Sequence, residues 1–189
     1  MANAGEDTAE KMREAAHESL PVGVVLERRE IDNPWQDYEW RAVGVADGIV
    51  AETVESDDSF WRMLESGDDW TRFLVQGFRI DLYSGETDGY TVNLAQPAPA
   101  VYVVLRPGEE REDHDVEPFA VTVCPYEAMG YAESGDEQVD SVVMPTDVRT
   151  WVEAFVERYH IERPFKKRKR DKKTPGGPSN SRPRGRYDV

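Results

Sequence analysis

The residues best equipped for contact chemistry stand in one run: Phe165, Lys166, Lys167, Arg168, Lys169 and Arg170, then Lys172 and Lys173 after Asp171. Such a run of cations with an aromatic ring at its root can bind the phosphates of RNA or DNA, an anionic lipid surface or an acidic protein groove. It can equally neutralise the acidic remainder of its own chain. Aromatic residues do not interleave the cations, so sequence-specific reading of a nucleic acid is not expected. Further on, Arg182, Arg184 and Arg186 are spaced by Pro and Gly, a pattern suited to loose phosphate contact. Trp35 follows Asn33 and Pro34 in a turn. An exposed tryptophan there, beside Tyr38, is a candidate partner contact, with packing inside the turn as the structural alternative.

Residues suited to covalent or metal chemistry are few. The single cysteine, Cys124, excludes an internal disulfide framework, a multi-cysteine zinc site and an iron–sulfur cluster held by this chain alone. A helix beginning at Pro125 would give its thiol an N-terminal setting, yet a small buried cysteine at a strand end is the favoured reading. His114 stands in Glu112-Asp113-His114-Asp115, which reads as a solvated acidic loop rather than a metal site, since ligands must converge from several directions. His160 falls at a helix C-terminus, where its charge can cap, and His17 falls in an N-terminal extension. Neither GxxxxGK[ST], GxGxxG, GxSxG, HExxH nor CxxC occurs. No catalytic residue, metal ligand or cofactor is assigned, and a non-enzymatic protein is expected.

These residues belong to a chain of 189, enough for one domain with tails. From Pro164 onward ten basic residues face two acidic ones, a net of +8, which leaves 13 basic and 36 acidic residues before it, a net of −23. The only lysine ahead of Pro164 is Lys11. Lysine avoidance with acid excess suits a halophilic, salt-tolerant surface, because concentrated salt screens repulsion among carboxylates. The melting temperature is therefore expected to rise with KCl, and a value indifferent to salt would overturn that expectation. No apolar run approaches the roughly 18 residues of a membrane span, and the acidic N-terminus lacks the apolar core of a signal peptide, so a cytoplasmic location is expected.

Three regions follow: an N-terminal extension over 1–19, a compact acidic domain over 20–163, and a disordered, Pro/Gly/Ser/Arg-rich basic tail over 164–189. Within the domain, residues 21–30 and 37–47 read as paired strands across Asp32-Asn33-Pro34, followed by an acidic loop from Asp47 to Asp58. Residues 59–64 read as a helical turn. Residues 69–75, 78–83 and 90–94 alternate as strands, with hairpin connections at Gln76-Gly77 and Ser84-Gly85. Residues 101–105 read as a central strand, 119–124 as another and 139–144 as the last, with a short helix over 125–134. The final helix begins with Thr146 or Asp147 as N-cap and carries the stripe Val148, Trp151, Val152, Phe155, Val156 and Tyr159. The predicted fold is α+β: an antiparallel, strongly bent or barrel-like sheet of about seven strands, closed by that helix. A doubly wound nucleotide fold is not expected.

Several separated blocks carry a resemblance: LPVGVVLERREIDNPWQDYEWRAVGV, ETDGYTVNLAQPAPAVYVVLRP, the CPYEA at 124–128 and WVEAFVERYHIERPFKKRKRDKK. Together they resemble the bacterial family known as domain of unknown function 3305, over about residues 20–173. Genes of that family tend to lie beside those of molybdenum- or tungsten-dependent formate dehydrogenase. The resemblance thus implies an accessory protein for assembly, cofactor loading or regulation of such an enzyme, with a dehydrogenase subunit or maturation factor as partner. Some members carry a molybdopterin-guanine dinucleotide biosynthesis label. That enzymatic reading is disfavoured here, because Gly23 stands alone where such nucleotidyltransferases open with a glycine-rich loop. Binding of nucleic acid through the tail is the other alternative.

Overall fold

The computed structural model describes residues 16–47, 61–108 and 114–161. The contact run 165–173, the tail and most of both acidic loops lie outside these residues. Among these residues seven strands and three α-helices follow one another as β1 (His17–Glu30), β2 (Tyr38–Asp47), β3 (Trp61–Ser66), β4 (Trp70–Tyr83), α1 (Thr87–Leu94), β5 (Ala100–Pro107), β6 (Val116–Thr122), α2 (Pro125–Ser134), β7 (Gln138–Val143) and α3 (Thr146–Tyr159). All ladders are antiparallel and form two sheets, ordered β2-β1-β4-β3 and β6-β5-β7. The α+β class is as expected. The barrel does not close, however, because no ladder joins β2 to β7 or β4 to β6 among the described residues.

The first sheet follows from alternation. Val22, Val24 and Leu26 of β1 are buried at every second position and meet Trp40 and Ala42 of β2 and Phe73 and Val75 of β4. Val101, Val103 and Leu105 of β5 bring the second sheet to the same core. Along one seam the sheets are tied by side chains: the Ala42 N–H donates to Asp140 Oδ2 (2.7 Å) and Gln138 Nε2 to the Trp40 carbonyl (3.0 Å). The stripe of α3 buries Val148, Val152 and Phe155. Trp151 Nε1 (3.0 Å) and Arg158 (2.8 Å) both donate to Glu18, fastening the helix to β1.

Several elements differ from expectation, each for a local reason. Residues 69–75 and 78–83 are one strand, not two. Gln76 and Gly77 form a bulge opposite Gly23, and the φ of +99° at Gly77 accommodates it without a side-chain clash. The run at 59–64 is no helical turn: Trp61–Ser66 pairs with Thr71–Val75 as an edge strand. Residues 90–94 belong to α1, where Thr87, Tyr90 and Asn93 are buried at a spacing of three. That helical period underlies a stretch that also alternates. For α3, Pro145 is the N-cap and no side chain caps the first turn; Asp147 instead lies in that turn, favourably for the helix dipole. β1 starts at His17, so the strand reaches back into what the sequence suggested was an extension.

On the solvent face of the first sheet, Glu27 accepts from Arg29 (3.0 Å) and Arg72 (2.9 Å), and Arg72 also reaches Glu65 (2.8 Å). Burial alone would raise the Glu27 carboxyl, but Arg72 and Arg29 outweigh it and hold the group below its usual 4.5. A carboxylate depressed in the folded state stabilises above the unfolded value, and that contribution disappears as pH falls through the lower folded value. In an acid titration of unfolding, Glu27→Gln is expected to be less stable than the parent above pH 4.5, with the difference shrinking below it.

Candidate functional site

The second seam, between β4 and β6, is open on the molecular surface as a groove of about 450 Å³. Its chemistry follows from strand edges. Beyond Val75, β4 pairs with β1 alone, and β6 is an edge strand of its own sheet. The Tyr83 N–H donates to the Tyr90 hydroxyl (3.0 Å) while the next N–H, of Ser84, bonds back to Ala16 (3.0 Å). Alternation then turns the peptide N–H and C=O of Asp81 and Arg79 toward the open seam. Pro21, which has no N–H to offer, faces Arg79, consistent with that phase. The groove is thus flanked by two strand edges, one of them carrying backbone groups free for an extended chain.

Side chains add aromatic surface and charge. Tyr83 and Phe119 line the groove and are 47% and 43% exposed. Arg106 stands over the Phe119 ring and is paired with Glu137 (3.0 Å), while Tyr131 meets the same ring edge-on. Asp81 accepts from His17 (2.9 Å), whose ring stacks on Tyr83 at 4.6 Å between centroids. Burial would raise the Asp81 carboxyl, but Ser19 and His17 outweigh it and keep it below the usual carboxylate value. Arg79 donates to Ser19 (2.7 Å), and Glu127 of α2 lies at the groove's rim. His17 accordingly belongs to this wall, contrary to the sequence reading.

Trp35 is 92% exposed, with its N–H on Asn33 Oδ1 (3.0 Å), at the tip of the β1–β2 connection. The Tyr38 ring lies under Arg28 at 4.4 Å. His114 is another correction. Rather than standing in solvated loop it stacks on Trp61 at 4.1 Å and meets Trp40 and Phe73 edge-on. His160 is the C-cap of α3 as expected, and its Nδ1 lies 3.2 Å from Thr87 Oγ1. Among the described residues no group of three His, Cys, Asp or Glu is placed to hold a metal ion, and no helix is long and apolar enough to cross a membrane.

Cys124 is buried at the N-cap of α2. Burial pushes its thiol up, against the opposing pull of the Glu127 and Tyr126 N–H groups, which leaves it a packing residue. A Cβ added at Gly89 of α1 would lie 2.7 Å from Cys124 Sγ and 3.1 Å from Tyr126. Gly89→Ala is expected to destabilise by about 1–3 kcal/mol despite its better helix propensity. Pairing it with Cys124→Ala should recover much of that loss in denaturant unfolding.

Residues 21–169 match the family described as protein of unknown function, DUF3305. The chain belongs to this family. No curated protein and no solved structure matches it. The DUF3305 match runs from Pro21 of β1 through α3 and takes in Phe165 to Lys169. Within the DUF3305 chain, the groove is what the sequence reading missed. Only Pro118, inside edge strand β6, hinted at an unpaired edge there, and nothing in the sequence placed that edge beside β4.

Proposed function

We propose that this DUF3305 protein is a non-catalytic accessory protein acting in assembly, cofactor loading or regulation of a molybdenum-dependent formate dehydrogenase. The observation that supports an interaction role is the groove between β4 and β6. Edge backbone groups of Arg79 and Asp81 beside exposed Tyr83 and Phe119 are the chemistry by which proteins hold extended peptides. The choice of enzyme rests on the family's gene neighbourhood, and the basic run Phe165–Lys173 is assigned as a further contact to a subunit or maturation factor. Deleting the gene is expected to lower formate oxidation and the molybdenum content of the dehydrogenase, with normal catalysis elsewhere. Full activity with normal metal content would overturn the proposal.

The net +8 of residues 164–189 favours a second reading, a binder of nucleic acid or another acidic surface. Its mark is affinity for mixed-sequence RNA or DNA that falls steeply with salt and is lost when the cations at 166–173 are reversed.

A further inference from the structure

We infer that the groove between β4 and β6 is a docking site for the chain's own basic segment, Phe165–Lys173. The first support is where the described chain ends. α3 terminates at Tyr159, and His160 is held against Thr87 Oγ1 at 3.2 Å. Thr87 lies four residues beyond Tyr83, the last residue of the groove's β4 wall, across a tight 3-10 turn at Ser84–Glu86. The chain therefore leaves the folded body at one mouth of the groove. Phe165 is five residues past His160, a reach of about 17 Å when extended. The next residues need only follow β4 from Tyr83 toward Phe78, a six-residue path of about 20 Å. Pro164 favours this course, since it disfavours helical backbone at the residue before it.

Complementarity is the second support. At the mouth stand Glu86 and the exposed Asp88, and along the groove Asp81 and Glu127. Four carboxylates thus meet the segment's seven cations, while exposed Tyr83 and Phe119 offer an aromatic seat for Phe165. Two arginines oppose this pattern, and both are engaged: Arg79 with Ser19, and Arg106 with Glu137 and the Phe119 ring. The open N–H and C=O groups of Arg79 and Asp81 can pair with an extended backbone. Tethering raises the segment's effective concentration to the millimolar range, so modest contacts suffice for occupancy. The inference holds whatever partner the protein serves.

Zero-length carbodiimide cross-linking of the full chain, with peptide mapping by mass spectrometry, tests it. Lysines 166, 167, 169, 172 and 173 are expected to couple within one chain to Asp81, Glu86, Asp88 and Glu127. Those products should exceed couplings to Glu39, Glu65 and Asp69 on the solvent face of the first sheet several-fold, and fall several-fold in about 1 M salt. The surface double variant Asp88→Asn, Glu127→Gln should lower coupling to the retained Asp81 and Glu86 at least twofold. Equal coupling to both sets of carboxylates would overturn the inference. So would coupling found only between isotopically distinct chains, which would assign the groove to a second copy.

Discussion

Replacing Phe155 by alanine is expected to lower the free energy of unfolding by about 3–5 kcal/mol. Phe155 is fully buried on the core stripe of α3, with its ring against Tyr159 at 4.7 Å and edge-on to Tyr90 at 6.3 Å. Tyr90 itself is pinned: it accepts from the Tyr83 N–H and donates to Glu86, and burial drives its hydroxyl far above the ordinary tyrosine value. It cannot swing in to fill the space left by a lost phenyl ring, so the cavity persists and the cost lies in the upper part of that range. Urea unfolding followed by tryptophan fluorescence measures it. A loss below about 1.5 kcal/mol would show that α3 is not the element closing this core.

A second large effect is expected at Asn93, which is 1% exposed and at the last turn of α1. Its Nδ2 donates to the carbonyls of Ala100 (2.7 Å) and Val123 (2.8 Å), and its Oδ1 accepts from the Ala100 N–H (3.0 Å). One side chain thereby ties α1 to the start of β5 and the end of β6, standing in for backbone partners that neither strand end has. Asn93→Ala strands the buried Val123 carbonyl and two half-buried groups of Ala100, at about 1–3 kcal/mol for a fully buried group and less for the others, so a loss of about 3 kcal/mol is expected. Asn93→Asp should be worse at neutral pH, because a carboxylate confronts two carbonyl oxygens with no donor between them. If the aspartate variant were the more stable of the two, the assigned bonding would be wrong.

The sequence disclosed most where a pattern had one physical reading. Pro125 at the first turn marked α2 from its residue type alone, and Gly135, just past the end, takes the left-handed region in the structure. The stripe of α3 and the apolar run of β5 were legible for the same reason, since one face of each had to be buried. It disclosed least where two periods overlapped or where a glycine had two uses. The stretch from Tyr90 to Leu94 alternates like a strand, and only its burial at a spacing of three places it in a helix. Gly77 reads as a hairpin turn, yet the long ladder to β1 carries the strand through it as a bulge. The groove was illegible for a different reason. It arises from two edges brought together by pairings remote in sequence, and no local pattern encodes which side of a strand goes unpaired.

The turn at Ser84–Thr87 has a consequence for the topology of the whole chain. It bonds the Ala16 carbonyl through the Ser84 N–H and holds His160 through Thr87, so the described body is entered and left at one place. Ala16 and His160 thus share a single patch of surface, beside the same groove. A substitution at either residue is therefore expected to be felt at the groove's mouth. The tip at Trp35, in the connection over 31–37, lies at the other end of β1 from that patch.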